Sequence, residues 1–155
     1  MDINQQIQEL IEGAPAEANI RQAIEVVAPV IRTLAQQLQH PEYYILQSVS
    51  NQWLQATVTR KDNPAQPKQV VYAYPSLAAA AGDRLAKSNP GLMALPVPLA
   101  RLLFQLPSIE PVDSMIFLET ESRDQAIEVR RTDLKNMFQA QLQQRMKPSV
   151  PPNIA

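Results

Sequence analysis

QVVYAYPSLAAAAG, residues 69–82, changes structural character at one point. Val70 to Tyr74 is a run of β-branched and aromatic residues suited to a strand. Pro75 lacks the N–H that a ladder needs and stops it. Ser76 then stands where its hydroxyl caps a short helix through Leu77 and the alanines 78–81, which Gly82 closes. Upstream, residues 43–49 and 52–60 read as two further strands, with Ser50 and Asn51 as the turn between them. An exposed loop, residues 61–68, carries Asn63, Pro64 and Pro67 on the way to the third strand. Downstream, residues 113–119 and 126–130 make a fourth and a fifth strand around the polar turn Glu121, Ser122, Arg123, Asp124.

Helical spacing surrounds these strands. Ile3, Ile7, Leu10 and Ile11 share one face of a short amphipathic helix that Gly13 and Pro15 end. From residue 17 to 39 the apolar set Ile20, Ile24, Val27, Ile31, Leu34 and Leu38 recurs at 4, 3, 4, 3, 4, a heptad seam over about six turns. Pro29 inside that run predicts a kink or two abutting helices, because it withholds an N–H from Glu25. Residues 84–98 hold Pro90, Gly91, Pro96 and Pro98, and so many breakers predict a loop. Leu99, Leu102, Leu103 and Leu106 then form a stripe on a helix that Pro98 starts and Pro107 ends. Thr132 is placed to cap a last helix carrying Leu134, Met137, Phe138 and Leu142.

Strands grouped as hairpins with helices between the groups predict the α+β class: a largely antiparallel sheet of about five strands, N-terminal helices, a central helical segment and a C-terminal helix. Residues 1–147 form one domain in this reading. Residues 148–155, with Pro148, Pro151 and Pro152, form a disordered tail.

Composition narrows the function classes. A chain of 155 residues is long enough to bury about 70 % of its unfolded surface around one core. Lys and Arg number 14 against 15 for Asp and Glu, so no field draws in a polyanion, and nucleic acid is not the expected partner. With no cysteine, disulfides, thiolate nucleophiles and cysteine zinc sites are excluded. The first 13 residues carry acids and no Lys or Arg, unlike a secretory signal, and no apolar run reaches the ~20 residues of a membrane span. The expected location is the cytoplasm. Three glycines lie tens of residues apart, which removes Gly-rich phosphate loops, while 18 glutamines supply neutral donors and acceptors for a binding surface.

The strand from Val70 to Tyr74 running into the Ser76-capped helix, the leucine helix from Pro98, and the strand pair Ser114 to Leu118 and Ile127 to Leu134 leading into a closing helix together resemble the N-terminal domain of the SseB family. The likeness covers roughly residues 43–142. Glu119 and Thr120 stand where that family has Asn-Pro. The resemblance implies a non-enzymatic module and brings no catalytic residue with it.

His40 is the only histidine. At a helix end before Pro41 it suits a capping role better than catalysis. Glu119, Glu121 and Asp124 form the densest acid group, and a carboxylate-based hydrolase could be built on them, although strand ends beside a turn usually carry charge simply because they are wet, and Arg123 is adjacent. Trp53 alternates with Gln55, Thr57 and Thr59, opposite Leu54, Ala56 and Val58. Either the only tryptophan marks a wet binding face, or a helix or bulge covers it. The heptad seam either packs on the sheet or pairs two copies into a homodimer. Arg145, Pro148 and Pro151 match a proline-reader ligand pattern common in solvated tails.

The leading expectation is a non-catalytic protein-interaction module, an adaptor, assembly factor or accessory subunit, whose partner is another protein. Its expected contacts are Trp53, Gln55, Thr57, Pro90, Leu92 and Met93, with no cofactor, metal or catalytic residue. The alternative is a small-ligand domain with an apolar pocket between the sheet and the leucine helix, where Tyr72 or Tyr74 makes the polar contact.

Overall fold

The computed structural model describes residues 2–15, 19–50, 52–59, 65–120 and 125–146. Helix α1 (Ile3–Gly13) opens on a capping box: the Gln5 backbone N–H donates to Asp2 Oδ1 at 2.8 Å, and the Asp2 N–H donates back to Gln5 Oε1 at 3.2 Å. Helix α2 (Ile20–Gln37) contains Pro29 without dividing into two. Pro29 and Glu25 are both exposed, so water can take the carbonyl that loses its partner. The seam faces inward, with Ile24, Val27, Ile31 and Leu38 buried in the chain's own core and Ile20 exposed.

Strands β1 (Glu42–Gln47), β2 (Ala56–Val58) and β3 (Lys68–Tyr74) follow, then helices α3 (Leu77–Gly82) and α4 (Arg84–Ser88). Ser76 Oγ accepts from Ala79 N–H at 3.1 Å and caps α3 as its position predicts. Strand β4 (Met93–Pro98) leads directly into α5 (Leu99–Gln105) and a 3-10 turn (Leu106–Ser108). Strands β5 (Ser114–Leu118) and β6 (Ala126–Arg130) and helix α6 (Arg131–Met146) complete the order. The sheet runs β4-β1-β3-β5-β6, with β2 also on β3. Every pairing is antiparallel except β3 with β5. The fold is thus α+β with a mixed, mostly antiparallel sheet.

Three elements differ from the sequence expectation. Residues 84–98 are not a loop. Asp83 Oδ2 accepts from Leu85 N–H at 3.1 Å and starts α4, and β4 pairs with β1 along its whole length. Prolines fit there because β4 is an edge. Leu99 N–H donates to Pro41 O at 3.0 Å, which puts the bonded pairs at odd-numbered residues of β4 and leaves Pro96 and Pro98 where an N–H would point away from β1. The strand expected over residues 52–60 shrinks to β2 plus a bridge between Trp53 and Gln47, because the chain leaves β1, doubles back beside it and only then meets β3. Helix α6 begins at Arg131, two residues earlier than a Thr132 cap requires, so Thr132 lies in its first turn rather than capping it. The tail at 148–155 and the Arg145, Pro148, Pro151 pattern extend outside the described residues.

Alternation along β1 sends Tyr43 and Ile45 to one side of the sheet and Tyr44 and Leu46 to the other. The first side holds the main core, where α1, α2, α5 and α6 pack and Leu99, Leu102, Leu103 and Leu106 are buried. The second side holds a smaller cluster of Leu46, Tyr74, Ala80 and Leu118 under α3. Buried Gln6 ties the main layer together. Its Nε2 donates to Pro41 O at 2.7 Å and its Oε1 accepts from Ala100 N–H at 2.9 Å. Helix α5, whose cap residue is proline, therefore receives its first-turn acceptor from α1.

Candidate functional site

The doubling-back after β1 builds one wall of a cleft. Ser48 N–H donates to Gln52 O at 3.0 Å and Leu54 N–H donates to Leu46 O at 2.8 Å, which clamps residues 52–54 beside the end of β1. Leu54 thereby packs with the smaller cluster, while Trp53 turns to the other side and lies half-buried against the main core. The Trp53 side of the sheet is therefore the helix-covered side, not a wet face. Gln55 shares that side with Trp53, as alternation predicts.

Helix α5 makes the opposite wall. Its leucines enter the core, so the residues between them, Arg101 and Gln105, form a stripe one turn apart facing away from it. Between the two walls lies a cleft of about 840 Å³. Leu95 and Val97 of β4 with Gln47 of β1 give its floor, and Ile109, Pro111 and Val112 close one end. Gln52 and Gln55 join Trp53 on the first wall. Among the described residues the lining carries four neutral amides, one indole and one guanidinium, and no carboxylate. Such a set can donate and accept hydrogen bonds and hold an anion, but offers no nucleophile or carboxylate base.

Of the six residues expected to contact a partner, Trp53 and Gln55 line the cleft. Met93, 49 % exposed, is paired with Gln47 and shares the face of Leu95 and Val97 beside it. Thr57 is exposed farther along the same face, where Gln69 Nε2 donates to its hydroxyl at 2.9 Å. Pro90 is exposed in the turn before β4, and Leu92 packs into the smaller cluster across the sheet. An apolar pocket under the leucine helix with a tyrosine contact is not what forms. The leucines are consumed by the core, and Tyr72 and Tyr74 lie on the other side with the smaller cluster.

The acid group resolves differently. Glu119 sits just past β5 with its side chain 4 % exposed. Tyr43 Oη donates to it at 3.1 Å and Gln39 N–H at 3.3 Å. His40 Nε2 lies 3.2 Å from the Glu119 carbonyl oxygen and 3.8 Å from Oε2, so the imidazole faces Glu119 instead of capping α2. Burial first, and then the neighbouring carboxylate, push the Tyr43 hydroxyl well above its ordinary range and keep it a donor. Tyr43 also meets Phe117 edge-on at 5.0 Å between ring centres. Glu121 and Asp124 lie outside the described residues. Among the described residues no three His, Asp or Glu side chains gather as a metal site, and no helix is long and apolar enough to cross a membrane.

The chain matches no family model, no curated protein and no solved structure. Gln47, Gln52, Arg101 and Gln105 are the polar lining residues absent from the sequence expectation. The one signal available was the four-residue spacing of Arg101 and Gln105 on the polar side of the leucine helix.

Proposed function

We propose that the chain is a cytosolic, non-catalytic protein-interaction module, an adaptor or accessory subunit, and that it receives a segment of its partner in the cleft between Trp53 and α5. The observation that carries this reading is the lining itself: an indole and four amide side chains around an open apolar floor. Amides match a peptide backbone because each offers a donor and an acceptor, and a half-buried indole supplies contact area at little entropic cost. The SseB-like order of elements over residues 43–142 is in keeping with a non-enzymatic module.

Affinity purification of wild type, Trp53→Ala and Leu77→Ser tests it. Leu77 is an exposed apolar residue on α3 and serves as the control. A partner held by wild type and Leu77→Ser and lost from a folded Trp53→Ala supports the proposal. A partner held equally by all three moves the site elsewhere, and a chain that purifies alone removes the function. A small-ligand reading is favoured by the volume, which lies within the usual range of about 300–1,000 Å³ for such sites. A metabolite-sized compound that copurifies and is lost with Trp53→Ala would select it.

A further inference from the structure

Resting on the cleft as the partner site, we infer that its ligand is an extended peptide segment carrying one carboxylate, which Arg101 receives. Arg21, Arg32 and Arg131 each donate a hydrogen bond within the chain, and Lys68 pairs with Glu128. Arg101 is exposed and, like Arg84, Lys87 and Lys135, has no such bond or ion pair among the described residues, but of these it alone lies in the cleft wall. Its guanidinium is the only charge among the described residues of the lining. A ligand with no anion would cover that cation and leave it unpaired, which is costly in a partly closed site.

The charge count sets the class of anion. One guanidinium offers a planar fork that matches one carboxylate in two parallel hydrogen bonds. A phosphate dianion would bring a second negative charge that no other cation of the lining meets. The amides set the rest of the ligand. Gln105 lies one turn from Arg101, Gln55 stands on the facing wall and Gln47 in the floor, and in this inference these amides bond the peptide backbone beside the acid. Trp53 covers an adjacent side chain.

The test uses the full chain and a positional-scanning library of random heptapeptides that includes phosphoserine, blocked at both ends. Selection of Asp or Glu at one position is expected. Arg101→Gln should weaken the best acidic peptide about ten-fold and leave its Glu-to-Gln analogue within about two-fold, while Trp53→Ala weakens both. No peptide selected above background overturns the cleft as a peptide site and this inference with it. Peptides that depend on Trp53 but show no acid preference and ignore Arg101→Gln overturn the inference alone. Preference for phosphoserine over Glu overturns the carboxylate.

Discussion

Strand β1 starts at one polar site and finishes at another. At its start Tyr43 meets Glu119, and at its end Gln47 meets Trp53 and the α5 stripe. The first site is closed. The Glu119 carboxylate is nearly sealed from solvent and receives Tyr43 Oη and Gln39 N–H, so it is bonded within the chain. The second site is open, with amides and a guanidinium around a floor of Leu95 and Val97. A buried polar group that is satisfied internally joins elements that lie far apart in sequence. Polar groups left facing a cavity are available to something else. Polarity alone therefore does not distinguish architecture from function; where the hydrogen bonds end does.

That contrast is broken most sharply at the closed site. Tyr43→Phe removes a hydrogen bond to a buried carboxylate, and a loss of about 1.5–3 kcal/mol is expected in urea unfolding, with partner binding unchanged in the folded fraction. A loss near zero would mean that Glu119 is hydrated. Gln6→Leu should cost slightly less, about 1–2 kcal/mol, and amide exchange at Ala100 should speed up because α5 loses its borrowed acceptor. Arg101→Gln at the open site should change stability by no more than about 0.5 kcal/mol by the same urea measurement. A larger loss would make the cleft part of the architecture.

The smallest expected effect belongs to Glu128, which lies between the two extremes. Burial alone would raise its pKa, but hydrogen bonds from Lys68 and Ser114 and the charges of Lys68 and Arg130 hold it below the usual carboxylate range. A carboxyl depressed in the folded state adds stability above its unfolded pKa of about 4.3, and that contribution is lost as pH falls through the lower folded value. Melting temperatures of wild type and Lys68→Met should therefore converge on acidification below about pH 4. The gap at neutral pH should be small, since the pair is partly in water.

Much of the fold was legible because its signals are local. The α2 seam, the Ser76 cap and the leucine stripe each act within a few residues, and each forms. Residues 84–98 misled because proline is a local breaker only when its missing N–H is needed, and at an outward-facing edge position it is not. The cleft was half legible. Trp53 and Gln55 stand out by alternation, but Arg101, Gln105 and Gln47 look like ordinary wet positions until three separate segments converge on them. His40 and Glu119 misled for the same reason in reverse, since 79 residues separate partners that become neighbours only in the sheet.

Pro96 and Pro98 bear on how any visitor must be read. A sheet margin with free amide hydrogens accepts nearly any extended chain, because backbone pairing is indifferent to sequence. Strand β4 withholds those hydrogens at two of its outward positions, so zippering onto the margin is denied where it would otherwise be easiest. Beside β4 what remains is approach over the face, where amides, an indole and a guanidinium must each be matched. Two imino acids thus exchange promiscuous adhesion for discrimination.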